Sequence, residues 1–356
     1  MSAALEAGAA NCVIHCAGVG RGTRLVIVNE AGAVDEAVAE TIAAAGRDAG
    51  ATVESLWVDA IPKATPEAIP SEALDAYSKG DIVISHFPSL TREALHPHFP
   101  AERRVRVPNR ARSAALLGSD WARFPYGVQR AIARRLEDLM APGSTWRITS
   151  PAGTDLSGVF AAGGKVGAGG EVGAAFFVDA GAEGRARKNF PGGVHDPRAC
   201  AELDGVIVVE YMDHVDQAED DPPLRVELSD CRITEITGGN EDGKLRHAIG
   251  ASDGWIDSWH AGVNPRTIAP VDRQANARSW FGFSHCSPAI IHFHLGRTHE
   301  TTNLACFGHS LSVDGETLYA DGALAPAVVD DAVVAAAIKA AGKGADALAT
   351  KPLGLW

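Results

Sequence analysis

Residues 288–319 read PAIIHFHLGRTHETTNLACFGHSLSVDGETLY. Successive side chains of a strand point to opposite faces, so in AIIHFHLG the residues Ile291, Phe293 and Leu295 share one face and His292 and His294 the other. A turn at Gly296-Arg297 would carry the chain back and bring His299 near them. Alternation resumes in LSVDGETLYADG, where His309 falls on the face of Leu311 and Val313 and reads as a packed core histidine. The stretch is therefore strand, turn and strand, apolar on one side and rich in imidazole on the other.

Working upstream, short alternating segments begin at Trp146: TWRITS, EVGAAFFVDA, DGVIVVEYM, LRVELSD and CRITEITGG. Gly, Pro and Asp turns separate them, which predicts a mainly antiparallel, β-rich α+β domain over 146–356. An Ala-rich helix, Ala332 to Ala341, closes it, with Gly342 as its stop. Residues 1–145 have a different rhythm. RLVIVN (Arg24 to Asn29), Thr52 to Val58 and DIVIS (Asp81 to Ser85) read as strands. Ala33 to Ala49, Ser71 to Lys79 and Arg123 to Met140 read as helices. Strands separated by helical stretches predict an α/β domain with a parallel sheet. The glycines of GVGRG at 18–22 precede the first strand instead of following it, the wrong order for a dinucleotide loop.

The chain has 356 residues, enough for two domains with a core each, and 46% hydrophobic with 22% charged residues is ordinary for a globular protein. A net charge of −13 argues against a general nucleic-acid partner, because phosphate binding needs a basic field. RRVRVPNRAR, from Arg103 to Arg112, is the local exception and reads as a solvated Arg-rich connection, with an anion or partner site as the alternative. No signal peptide and no run of about 18 apolar residues is found, so a cytoplasmic protein without a membrane partner is expected. The six cysteines are scattered and read as free thiols. Cys12 and Cys16 lack the spacing of a CxxC pair.

Chemistry is expected where the histidines gather. Six of the thirteen lie between His260 and His309, and five of those lie between His285 and His309. Imidazole is the commonest ligand for transition metals and titrates near neutral pH. Strand parity nominates His292 with His294, and a three-histidine site on a strand pair costs little geometrically. His260, in the Gly/Pro-bounded DSWHAGVNPR, is a further candidate. His195, in the loop KNFPGGVHDPR, is more often the kind of histidine that stays in its loop.

Taken in order, AGTDL, NFPGG, WHAGVNP, HFHLGR and VDGETLYADG resemble the superfamily of aminopeptidase T-type metallopeptidases, which also includes iron-dependent 2,5-dihydroxypyridine 5,6-dioxygenase. The likeness spans most of the second domain. The peptidases' first glutamate falls at or beside Val194. Their second falls at His260, where the dioxygenases are similar in having histidine, and their histidine before Leu-Gly matches His292. Their late His-x-Asp pair falls at Thr301 and Asn303, with His299 two residues earlier on the same strand face. The resemblance thus implies a mononuclear site of His260, His292 and His299 with His294 adjacent, and no dinuclear carboxylate site. In the dioxygenases a histidine of the first domain acts as acid or base; His86, at the end of DIVIS, takes that place here.

These readings lead to one expectation and two alternatives. The first is an enzyme with one divalent metal, Fe(II) foremost and Zn or Mn as alternatives, that opens a small hydroxylated N-heterocyclic or aromatic ring with O2. His86 and His294 would move protons, and Asp155, Asn189, Thr301 and Asn303 would contact the small-molecule substrate. The alternatives are a metal-dependent hydrolase of an amide or cyclic amide, and a non-catalytic small-ligand-binding protein. A homo-oligomer is expected on the resemblance.

Overall fold

The computed structural model describes residues 2–60, 70–86, 105–140, 144–161, 186–188, 190–192, 194–195, 200–212, 222–240, 243–256, 258–267, 285–296 and 303–351. The chain divides into two units: Met1–Gln129 with Phe176–Gly193, and Arg130–Ala175 with Val194–Trp356.

In the first unit RLVIVNE forms strand β1 (Arg24–Glu30), buried along nearly its whole length. A strand apolar on both faces belongs inside a sheet covered on both sides. β2 (Thr52–Val58) and β3 (Ile82–His86) flank it in parallel register, with Asn29 opposite both Trp57 and His86. β4 (Val105–Pro108) follows β3, also parallel. Val26, Val28, Val58 and Val83 meet Ala73, Ala76 and Tyr77 of helix Ser71–Lys79 in one apolar cluster. Helix Glu36–Asp48 buries Val38, Ile42 and Ala43.

Two findings depart from the sequence reading. The Arg-rich connection is in part a strand of this sheet, and Arg106 within it is buried. Its alternating Arg and Val residues carry no breaker before Pro108, and tertiary pairing overrides the polar composition. The N-terminus, read only for export signals, forms helix Ala3–Ala10 and continues as a π-helix over Asn11–Ala17. Ala is the strongest helix former, and the Ser2 side chain caps the first turn through Leu5 N.

The second unit is two antiparallel sheets. β5 (Thr145–Thr149) and β6 (Asp155–Phe160) lie at the centre of the larger one. β7 (Ala186–Arg187) belongs to the parallel sheet of the first unit, beside β4. β8 (Val194–His195), β9 (Cys200–Val209), β10 (Tyr211–Met212), β11 (Leu224–Ser229), β12 (Arg232–Gly238) and β13 (Trp259–Gly262) follow. β14 (Ile290–His294), β15 (Asn303–Phe307), β16 (Ser310–Val313), β17 (Glu316–Ala320) and β18 (Ala323–Leu324) complete the set. The larger sheet runs β12-β11-β9-β6-β5-β16-β17-β18, and the smaller runs β10-β15-β14-β13-β8. EVGAAFFVDA lies outside the described residues. The closing helix is Ala332–Ala340, and Gly342 follows it with φ 64°.

The smaller sheet has an apolar face made of Trp259, Ala261, Ile291, Phe293, Leu304 and Cys306, all fully buried. Trp259 packs 6.0 Å from Trp146 and 6.0 Å from Phe160 of the larger sheet. That contact turns the opposite face, the one carrying the histidines, away from the core between the sheets.

All six cysteines are buried thiols outside any disulfide, as expected. Among the described residues no helix is long and apolar enough to cross a membrane.

Candidate metal centre

Strand pairing assembles the centre. β13 and β14 are antiparallel with His260 directly opposite His292. β15 lies on the other side of β14, with Ala305 opposite His292 and Asn303 opposite His294. Tyr211 of β10 is paired with Ala305. One row across the sheet is therefore Tyr211, Ala305, His292 and His260, and the next row holds Asn303 and His294.

The nitrogens that His260, His292 and His294 offer all lie within 4.8 Å of one another. Their rings are close to parallel: 4.1 Å separates the centroids of His260 and His294, 4.9 Å those of His260 and His292, and 5.4 Å those of His292 and His294. His260 is 2% and His292 3% exposed, and His294 is half-buried. Among the described residues the group contains imidazoles only.

This donor set fits a divalent transition metal. Nitrogens each about 2.0–2.1 Å from one ion stand roughly 3.0–4.2 Å apart, against an upper bound of 4.8 Å here, so the rings need to close by at most roughly 2 Å. Three imidazoles, two of them buried, on a strand pair with an apolar backing have the softness and the number that such an ion takes. His294 stands in the same group as His260 and His292, where the sequence reading set it beside the ligands as a proton carrier. His299 and Thr301 lie outside the described residues, as does Asn189. Asn303 stands beside His294 in the site. Asp155 stands on the larger sheet, exposed, in a bidentate ion pair with Arg147 at 2.9 Å that lowers its pKa. Its neighbour Thr154 is buried and accepts from Val208 N.

Two features of the centre received no role in the sequence reading, which counted His285 only as a member of the histidine cluster. His285 is 6% exposed, and its ring stands edge-on to His292 at 5.9 Å. Gly262 lets the Cys286-Ser287 backbone lie directly on β13; a Cβ there would collide with Ser287 O and the Cys286 carbonyl. Neither the 260–292 register nor this close approach has a local signal, because both depend on segments far apart in the chain.

His86 sits in the first unit at the carboxyl end of β3, wholly buried. Asn29 Nδ2 donates to Ser55 Oγ and Leu56 O, which turns Oδ1 of Asn29 to His86 Nδ1 at 2.8 Å. Asn109 Oδ1 accepts from Ala111 N, which turns Nδ2 of Asn109 to His86 Nε2 at 2.9 Å. An acceptor on one side and a donor on the other fix the neutral Nδ1–H tautomer. Burial, and then the charge of Arg112, push its pKa down to about 3.

His309 is wholly buried, as expected for a core histidine, and packs 5.1 Å from Tyr319. Burial lowers its pKa to about 3, and neither ring nitrogen has a hydrogen-bond partner among the described residues.

The sequence matches no protein-family model and no curated protein. Two solved structures share the fold. 2,5-Dihydroxypyridine dioxygenase from Pseudomonas putida KT2440 superposes with a TM-score of 0.61 at 14% identity, over 91% of this chain and 98% of that one. Wild-type AmpT from Thermus thermophilus superposes with a TM-score of 0.50 at 12% identity, over 90% of this chain and 98% of that one. The fold that the five motifs implied is therefore the fold this chain has.

Proposed function

We propose that the chain is an enzyme that holds one divalent metal, Fe(II) foremost, between His260, His292 and His294, and opens a small hydroxylated N-heterocyclic or aromatic ring with O2. The observation that carries this reading is the meeting of three imidazoles, with no carboxylate in the group among the described residues. Such a set suits one ion and lacks the bridging carboxylates of a dinuclear peptidase. The fold shared with 2,5-dihydroxypyridine dioxygenase points the same way.

When bound, the ion supplies Lewis-acid and redox chemistry at the hydroxyl-bearing carbons of the ring. The protein's own part is placement. Neutral donors leave the positive charge at the site uncompensated by the chain, so an ionised ring hydroxyl binds in preference to a neutral one. Asn303, opposite His294, offers an amide to an oxygen or nitrogen of the substrate. Ala305 beside His292 and Tyr211 beyond it are buried in one apolar cluster with Ile290 and Phe307, which flanks the row that carries the imidazoles. His299, Thr301 and Asn189 remain candidates on the sequence resemblance. His86, expected as a proton carrier, has both ring nitrogens engaged, by Asn29 and by Asn109.

A second reading is a hydrolase of an amide or cyclic amide. Three histidines are also a donor set of catalytic zinc, with the fourth position left to water. An oxygen electrode decides between the two. The oxygenase consumes one O2 for each ring opened and stops under strict anaerobiosis; full anaerobic turnover would establish the hydrolase.

A further inference from the structure

The Arg-rich stretch RRVRVPNRAR does not end where β4 ends. Asn109 N donates to Ser85 O of β3 at 2.9 Å, and Arg110 N donates to Phe190 O at 2.9 Å. Arg112 N donates to Arg110 O at 3.0 Å, which closes a three-residue turn about Ala111. Asn109 Oδ1 accepts from Ala111 N at 2.8 Å, and Arg112 O accepts from Asp35 N at 2.9 Å. Ala111 is wholly buried, and the arginines on either side of it stand half-buried. The turn follows the carboxyl ends of β3 and β4, where an open parallel sheet takes its ligands. Every residue of it belongs to the first unit.

The charges around this turn lean positive. Burial holds the Arg112 guanidinium below its ordinary pKa, and the charge of Arg110 adds to that effect. Glu30, buried at the end of β1, acts the other way without restoring it. Asp35 is exposed, and its Oδ2 accepts from Ala114 N at 2.8 Å. Two partly desolvated guanidiniums, held two residues apart by backbone bonds, repel each other, and an oxyanion shared by both would offset that cost. The planar forks of arginine match phosphate and carboxylate oxygens in pairs. The chain as a whole carries −13, so its general field repels anions and only a built local site would hold one.

We propose that Arg110 and Arg112 form a binding site for a small dianionic oxyanion, a phosphate or a dicarboxylate, at the carboxyl end of the parallel sheet. The backbone bonds that fix the turn order it in advance, so little freedom is lost on binding. The inference does not depend on the metal reading of the histidine centre.

Inorganic phosphate and malonate are the probes, each titrated into the full chain at constant ionic strength with chloride as the reference salt. The arginine Nε–H resonances of Arg110 and Arg112 should shift and saturate with one of the two dianions, and the urea midpoint should rise with its concentration. Tighter binding of phosphate would assign a phosphate-bearing ligand, and tighter binding of malonate a dicarboxylate. Arg110→Gln and Arg112→Gln should each weaken binding at least about tenfold, the worth of one hydrogen bond to a charged group. Arg112→Lys, which keeps the charge and loses the fork, should fall between parent and Arg112→Gln, and it serves as the test if the glutamine variant does not fold. Titrations that do not saturate, or that chloride reproduces, would overturn the proposal. So would variants that bind both dianions as tightly as the parent.

Discussion

His86 and His309 show how one residue type serves opposite ends. Both are wholly buried with pKa values near 3, yet two asparagines hold His86, while His309 packs on the Tyr319 ring and has no hydrogen-bond partner among the described residues. In the unfolded chain each takes up a proton near pH 6.5, and in the fold neither does so until about pH 3. The unfolded state therefore binds more protons throughout that interval. Stability is whole above about pH 6.5 and drains as the pH falls toward 3. Urea midpoints measured from pH 7 to pH 4 should drop steadily, and His309→Leu should flatten the drop without altering metal uptake. A parent profile flat over that window contradicts the burial argument. At this scale the sequence was partly legible: His309 beside Leu311 and Val313 read as core, whereas the embrace of His86 by Asn29 and Asn109 joins positions up to 80 residues apart and leaves no local trace.

β14 was the most legible element because its information is local. The alternation in IIHFH assigns each side chain to a face whatever strand lies beside it. β13 was not legible in the same way. WHAG is four residues long, and its pairing with β14 places His260 opposite His292 across an intervening stretch with no register signal of its own. β4 was misread because its arginines outweighed its valines in composition, although Val107 and Arg106 are both buried in the sheet. The apolar face of β14 is what aims the imidazoles outward, so Phe293→Ala should destabilise the chain by about 3–5 kcal/mol in urea unfolding. It should also weaken metal binding, because the strand loses its backing against Trp259 and the larger sheet. A loss below about 1 kcal/mol would mean that this face is not the support of the site.

At the scale of the molecule, the change of rhythm at Trp146 let the sequence predict a parallel sheet followed by antiparallel, β-rich structure, and the chain has both kinds of sheet. The plan is less linear than the sequence suggests: β7, at residues 186–187, returns to the parallel sheet of the first unit after β5 and β6 have begun the second. Composition cannot reveal such a return, because a strand of two residues has no periodicity to detect. Among the described residues, the group that could hold a metal is made of three histidines, and the proposed function gives them a single ion. The direct test is elemental analysis of protein purified anaerobically and supplied with Fe(II), set beside the His260→Ala, His292→Ala and His294→Ala variants. The account predicts one iron per parent chain and a loss of stoichiometric iron in each variant. A parent chain that retains no iron, zinc or manganese, or a His292→Ala variant that keeps the full complement, would contradict it.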